Sequence, residues 1–295
     1  MRIIVNPAAA GGRLGREWPL LEQRLTDWGL TAETVLTKAP GHATELALEA
    51  VTSGVERIIV AGGDGTVCEV AEGLHRAGRG EVAILPLGTG NDAARTLGVP
   101  LDLEDSARAA ANGHTRSVDL IRVGDRVVFN AIGVGLTGDI NDRAASIKMM
   151  RGIAVYLLAA LSSLLRYRMQ MVRLVSDQES YEGSMLILAV HGGPTTGGGF
   201  RLTPAAVPDD GLLDACLVPE VNVFARIARL VAAMSGSLGR KSGTLELQAP
   251  WLELHFDRPL PAHFDGNSVT LKPPMVRFEV LPGALKVVVP SPEQV

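Results

Sequence analysis

The chain is poor in aromatic residues, in cysteine, in excess charge and in long apolar runs, and each shortage removes a class of protein. Aromatic residues are 4% of 295, although hydrophobic residues reach 46%. The core must therefore be built mainly from Ala, Val and Leu, as in a globular α/β-rich chain. The two cysteines, Cys68 and Cys216, are far apart and each sits in an apolar run. No secreted disulfide framework has that pattern, so both read as reduced core residues. A net charge of −4 and a pI near 5.9 leave no basic excess to bind nucleic acid, so no nucleic-acid partner is expected. The longest membrane candidate, "GIAVYLLAALSSLL" at 152–165, has 14 residues, whereas a spanning helix needs about 20. It is expected to be a buried core helix, or an interfacial one flanked by Arg151, Arg166 and Arg168. "MRIIVNP" reaches Pro7 before a signal-peptide core can form.

Several chemistries are missing as well. Neither H-E-x-x-H nor G-x-S-x-G occurs, and the six histidines are scattered without metal-ligand spacing. "GSLGRKS" at 236–242 has the wrong glycine spacing for a P-loop, and "NPAAAGG" after the first strand is no dinucleotide fingerprint. Flexible linkers, internal repeats and low-complexity tracts are absent too.

What is present is a change of grammar. Through the first third, strand-like runs ("RIIVN", "TAETVLT", "RIIVA", "VAILPLG") alternate with helix-like ones. The helices are "REWPLLEQRLTDWG", with Trp18, Leu21, Leu25 and Trp28 at helical spacing, then "HATELALEAVTSG" and the stretch after Thr66. That alternation predicts a doubly wound parallel sheet. From residue 115 onward, short alternating runs separated by Gly, Pro, Asn and Asp predict an antiparallel β-sandwich, with helices near 152–168 and 223–238. The fold class is α/β plus all-β, with an α/β domain at 1–119 and a sandwich domain at 120–283.

Three glycine-bearing loops follow strands of the first domain: "NPAAAGGRLG", "GGDGT" and "LGTGND". All would emerge on one edge of a parallel sheet, where such sheets bind ligands. Glycines there permit positive φ and remove the Cβ from a ligand's path. Thr66 could cap the helix after the second loop, with Glu69 three positions on. Backbone amides at such a helix start favour an anion. Asp64 and Asp92 beside a polyphosphate would repel it without a cation, which implies Mg²⁺.

In that order and spacing, "NPAAAGG", "GGDGT" and "LPLGTGNDAAR" resemble the diacylglycerol kinase catalytic-domain family. The likeness is to its soluble bacterial lipid kinase type, related to sphingosine and ceramide kinases. It continues through "SVDLIRV", "VFNAIGVG", "GGGFRLTP", "PDDGLLDACLV" and "FDGN", and so covers essentially the whole chain. The resemblance implies an ATP- and Mg²⁺-dependent transfer of the γ-phosphoryl group to a hydroxyl of diacylglycerol or a similar amphiphile. It also implies that 284–295, with "ALKVVVP", returns to the first domain. Asn6, Thr37, Gly62, Gly63, Asp64, Gly65, Thr66, Val67, Cys68, Gly88, Thr89 and Asn91 would contact nucleotide. Asp64 and Asp92 would organise Mg²⁺, and Asp119 would lie near the acceptor hydroxyl. Asp210, with the carbonyls of Val207 and Leu212, matches a second, structural Mg²⁺ position. The resemblance places the protein in the cytoplasm with a lipid acceptor, peripheral contact at the inner membrane face being an option and homodimerisation open.

Two departures stand out. Relatives usually carry Asp-Gly-Glu where this chain has Asp265, Gly266 and Asn267, and Ala205 stands where relatives often have Asp. Asn267 cannot take a proton, so Asp265 is the substitute base, with Asp64 as the remaining catalytic acid group. Asp-Gly is equally the signal of an ordinary hairpin turn, "PDDG" is a good generic turn, and Asn6 and Thr37 suit caps or turns. The alternative function is a nucleotide-binding homologue that has lost transfer and acts as a sensor or partner-binding protein.

Overall fold

The computed structural model describes residues 1–146 and 162–291. Most of the apolar segment 152–165, and with it the expected helix, lies outside the described residues; residues 162–166 are helical. The chain divides into two units, residues 1–120 with 282–295 and residues 121–281.

The first unit is built on parallel strands in the order β4 (Glu81–Pro86), β3 (Arg57–Gly62), β1 (Arg2–Val5) and β2 (Glu33–Leu36). The chain winds from β1 outward to β2, then crosses back to place β3 on the other side of β1. The winding therefore reverses between β1 and β3. Strand residues alternate between two buried faces. Ile3, Val5, Ile59 and Leu85 meet Trp18 and Leu25 of α1 (Ala9–Asp27) and Ala107 of α5 (Leu103–Asn112). Ile4, Ile58, Val60, Val82 and Ile84 are buried on the opposite face, where α2 (His42–Thr52) and α3 (Asp64–Ala77) pack. Those two helices approach closely at Gly73, where a Cβ would stand 2.5 Å from the Thr44 carbonyl oxygen. Burial on both faces is why these strands are short, β-branched and unbroken by charge.

Ala10, Gly11 and Gly12 take φ of 50°, 68° and 79°, so a left-handed turn in the first glycine loop precedes the regular part of α1. One local expectation is corrected: Gly63, not Thr66, is the N-cap of α3, and no side chain caps that helix.

The second unit is antiparallel. β5 (His114–Val123) carries the chain into it and pairs with β6 (Arg126–Val128). β7 (Ala131–Gly135), β8 (Gln170–Val175), β9 (Ser180–His191), β10 (Leu213–Pro219), β11 (Leu245–Ala249), β12 (Trp251–Phe256), β13 (Leu260–Phe264) and β14 (Asn267–Leu271) follow. The long strand β9 pairs with β8 through its first half, with β7 through its second, and with β10 along its other edge. One strand thus serves two stretches of sheet, as sandwich corners require. The sequence missed α6 (Leu136–Ser146) and β13. It also split in two what is one strand, β15 (Met275–Val289), which carries the chain back to the first unit and pairs there in parallel with β4 at Val287↔Val82. The expected helix near 223–238 is α7 (Val223–Ser235).

Candidate functional site

The three glycine loops leave the carboxyl ends of β1, β3 and β4, neighbours in the sheet, and they flank the reversal between β1 and β3. That reversal is where open α/β sheets form a ligand crevice. Side chains tie the loops together. Asn6 donates from its amide nitrogen to Thr66 Oγ1 at 3.0 Å and accepts the Ala8 N–H at 3.0 Å. Thr66 is thus the anchor for the first loop. Asn91 takes φ of 54°, accepts the Gly88 N–H at 2.9 Å and donates to the Pro86 carbonyl at 3.0 Å. Its side chain braces its own turn.

Positive φ belongs to Gly11 and Gly12 of the first loop; in the second and third loops the glycines serve another purpose. Gly62 and Gly63 do not adopt positive φ; what matters is the missing Cβ. One on Gly62 would lie 2.8 Å from Thr66 Oγ1, and one on Gly88 would lie 2.4 Å from the Gly63 Cα. The second and third loops touch backbone to backbone, and only glycine allows that approach.

Asp64 opens α3 and is half-buried, so the loop is less exposed than its strand-end position suggests. Its Oδ1 accepts the Ala93 N–H at 2.8 Å, linking α3 to the start of α4 (Asp92–Thr96). Burial above all, with the charge of Asp92, outweighs the pull of the backbone N–H groups of Ala93, Asp64 and Asn91, and together they leave the Asp64 pKa raised to about 6. Asp92 is itself buried. Two neighbouring carboxylates whose charges oppose each other suit a divalent cation.

The remaining nucleotide candidates divide. Thr89 is exposed on the third loop and Gly65 lies in the first turn of α3, whereas the side chains of Val67 and Cys68 are in the core. Thr37 follows the edge strand β2 and donates its N–H to the Val5 carbonyl at 2.8 Å. Asp119 is buried and accepts the Gly283 N–H at 2.7 Å, so its carboxylate pins the segment where β15 enters the first unit.

In the second unit, Asp265 and Gly266 take φ of 45° and 84° between paired Phe264 and Asn267. That is the turn Asp-Gly favours in a two-residue hairpin. The Asp265 carboxylate is buried and accepts backbone N–H groups of Phe129, Asn130 and Ala131 at 2.7–3.2 Å. Its oxygens clamp the hairpin to the start of β7. Asn267, half-buried, opens β14. Asp210 and Val207 are exposed; Asp210 Oδ1 accepts the Leu212 N–H at 3.0 Å, the hydrogen bond of a simple turn. Among the described residues no cluster of three or more His, Cys, Asp or Glu could hold a metal. A structural site at Asp210 would therefore rely on backbone carbonyls.

Sequence reasoning set the histidines aside as scattered, yet two of them converge here. His191 pairs with Ala131 on one side of β7 and His263 with Gly133 on the other, so both rings project on one face. Both are buried, which lowers their pKa values to about 3 and about 4. A Cβ on Gly133 would stand 2.3 Å from His263 Nε2, so that glycine makes room for the ring. Strand register alone could have revealed the pair, and a single sequence does not carry it.

A doubly wound unit with three glycine loops at its winding reversal, joined in sequence to an antiparallel β unit, has the architecture of an α/β protein that binds a ligand at the carboxyl ends of its strands. Residues 1–123 match the diacylglycerol kinase catalytic domain, and residues 130–289 match the YegS C-terminal NAD kinase beta sandwich-like domain. The protein of Pseudomonas aeruginosa (strain PAO1) named "Probable lipid kinase YegS-like" is 35% identical over 87% of this chain and 84% of its own. A protein of the same name from Pseudomonas syringae pv. tomato is 32% identical over 92% and 87%. A diacylglycerol kinase structure from Bacillus anthracis str. Sterne covers 100% of this chain and 97% of its own, at 26% identity and a TM-score of 0.72. The chain belongs to the diacylglycerol kinase catalytic-domain family of YegS-like lipid kinases.

Proposed function

We propose that the protein is an ATP- and Mg²⁺-dependent lipid kinase that transfers the γ-phosphoryl group to a hydroxyl of diacylglycerol or a similar amphiphile. The observation that carries this reading is the convergence of Asn6, Asp64, Thr66, Gly88 and Asn91 at the winding reversal, with Asp64 lifted to about 6 beside Asp92. Phosphoryl transfer depends on positioning and charge stabilisation more than on covalent chemistry, and a braced loop set supplies positioning. Backbone amides of the second and third loops would hold the phosphates. Asp64 and Asp92 would hold Mg²⁺, which when bound neutralises charge on the phosphates. The second unit would supply the acceptor lipid, and Asp119 and Asp265 would act as structural carboxylates because backbone amides engage them.

One observation favours the alternative of a transfer-deficient nucleotide sensor. Asn267 has an amide in place of a carboxylate and cannot accept a proton, and Asp265 is committed to three amides. A loose transition state tolerates a weak base, so a slow kinase remains the stronger reading. Thermal unfolding tests the shared premise. ATP with Mg²⁺ should raise the melting temperature by ligand linkage and ATP alone should not; no shift at millimolar MgATP contradicts both readings.

A further inference from the structure

The helix α7 has its polarity inverted. It starts at Asn222, whose side chain accepts the Ala225 N–H at 2.9 Å, and stops at Gly236 with φ of 69°. Ala232 and Ala233 pack into the core with Leu164, Tyr167 and Leu238. Arg226 is buried, and its guanidinium donates to the carbonyls of Leu164 at 2.7 Å and Tyr167 at 3.4 Å. The charge of this helix thus goes inward, while the large apolar side chains face water. Phe224 is 86% exposed, Ile227 44%, Val231 60% and Met234 58%. Their spacing of three, four and three residues makes one stripe, roughly 15 Å long at the helical rise. A water-facing helix ordinarily shows the reverse.

We propose that α7 is the surface by which the second unit lies on an anionic lipid bilayer. The inference rests on the lipid-kinase reading for its biological sense, since a lipid acceptor is met at a bilayer. It rests on charge for its choice of partner. Apart from the inward-turned Arg226, residues 221–244 carry Arg229, Arg240 and Lys241 and no Asp or Glu, in a chain whose net charge is −4. Arg240 and Lys241 are exposed, and Arg229 reaches the Ser242 carbonyl at 2.7 Å, holding that basic turn against the helix. The segment that Arg226 ties alongside adds Leu165, 60% exposed, with exposed Arg166 and Arg168. An apolar stripe rimmed by cations is the pattern of an interfacial helix, whose binding adds apolar burial to attraction for anionic headgroups. A second copy of the chain fits less well. Two-fold pairing through the same face would set these cations against themselves.

Vesicle co-sedimentation tests the proposal. The full-length protein should bind mixed phosphatidylcholine–phosphatidylglycerol vesicles, and less so as salt rises. Phe224→Ser with Val231→Ser should weaken binding by about tenfold or more, given the usual size of apolar burial. Arg240→Glu with Lys241→Glu should weaken binding to mixed vesicles and leave binding to pure phosphatidylcholine unchanged. All four side chains are solvent-facing, so melting temperatures should stay put, as should phosphorylation of a short-chain, monomerically dispersed diacylglycerol. Unchanged vesicle binding by the Ser variant overturns the proposal. So does a parent dimer in gel filtration that the Ser variant dissociates. A parent that binds vesicles through α7 but phosphorylates no lipid supports this inference and removes the kinase reading instead.

Discussion

Replacing Asp64 by Asn should stabilise the protein at neutral pH while abolishing transfer. The folded carboxyl titrates at about 6 against an ordinary 3.8, raised first by burial and then by Asp92. Between those two values the folded chain holds a proton that the unfolded chain has lost. Stability therefore falls as pH rises through that window, and above pH 6 the charged group carries its full penalty. At about 1.4 kcal/mol per tenfold, and allowing for partial solvent contact, that penalty is roughly 2–3 kcal/mol. Asn is isosteric, uncharged, and can keep the Ala93 N–H on its Oδ1. The variant should melt about 4–12 °C above the parent at pH 7.5, taking roughly 2–4 °C per kcal/mol for a chain of this size. At pH 4.5 the parent is largely protonated in the fold, and most of the gap should close. Asp214, also raised to about 6 by burial, is common to both proteins and cancels in the difference. Mg²⁺ at pH 7.5 should raise the parent and leave the variant nearly unmoved. Scanning calorimetry at both pH values decides the matter. A gap that does not change with pH, or a variant less stable than the parent at pH 7.5, refutes the reasoning.

Other substitutions separate scaffold from chemistry. Asp265→Asn sets a donor amide among three backbone N–H groups and should lower the unfolding free energy by about 2–4 kcal/mol, read from urea midpoints; a stable variant that is merely slow would restore Asp265 as the base. Asn267→Glu should accelerate single-turnover phosphorylation by about tenfold or more, less than the usual ~10²–10⁴-fold of base catalysis because a loose transition state needs the base less; no gain would place proton removal elsewhere. Gly88→Ala puts a Cβ 2.4 Å from the Gly63 Cα and should cost about 1–3 kcal/mol together with the MgATP-induced rise in melting temperature; a variant that keeps both would show that the loops need not touch.

The first unit was largely legible because its signals are local. A β-branched run, a glycine loop and a helical period occur within twenty residues of one another, and three repetitions imply one sheet edge. The second unit was legible as a class but not in detail. "LPAHF" has a proline at its second position and reads as a loop, yet it is β13, since its pairing with β14 and β7 is fixed by partners distant in sequence. β15 reads as two strands because Pro282 and Gly283 interrupt its pattern, although the backbone continues through them. Among site residues, Asn6, Asp64 and Thr66 could be picked out by motif. That Asp119 and Asp265 spend their carboxylates on backbone amides could not, because those partners lie 164 and 134–136 residues away. The outward apolar stripe of α7 was visible as a helical period, but which face it turned to the core depended on Arg226 reaching residues 164 and 167.

The central claim is that the braced loops of the first unit present ATP for transfer to a lipid. Incubating the purified protein with γ-labelled ATP, Mg²⁺ and a total lipid extract, then separating the lipids, tests it directly. The account predicts label in a lipid phosphate for the parent, none when Mg²⁺ is chelated, and none with Asp64→Ala. An unlabelled lipid fraction from a parent that demonstrably binds MgATP, or equal labelling by Asp64→Ala, would contradict it.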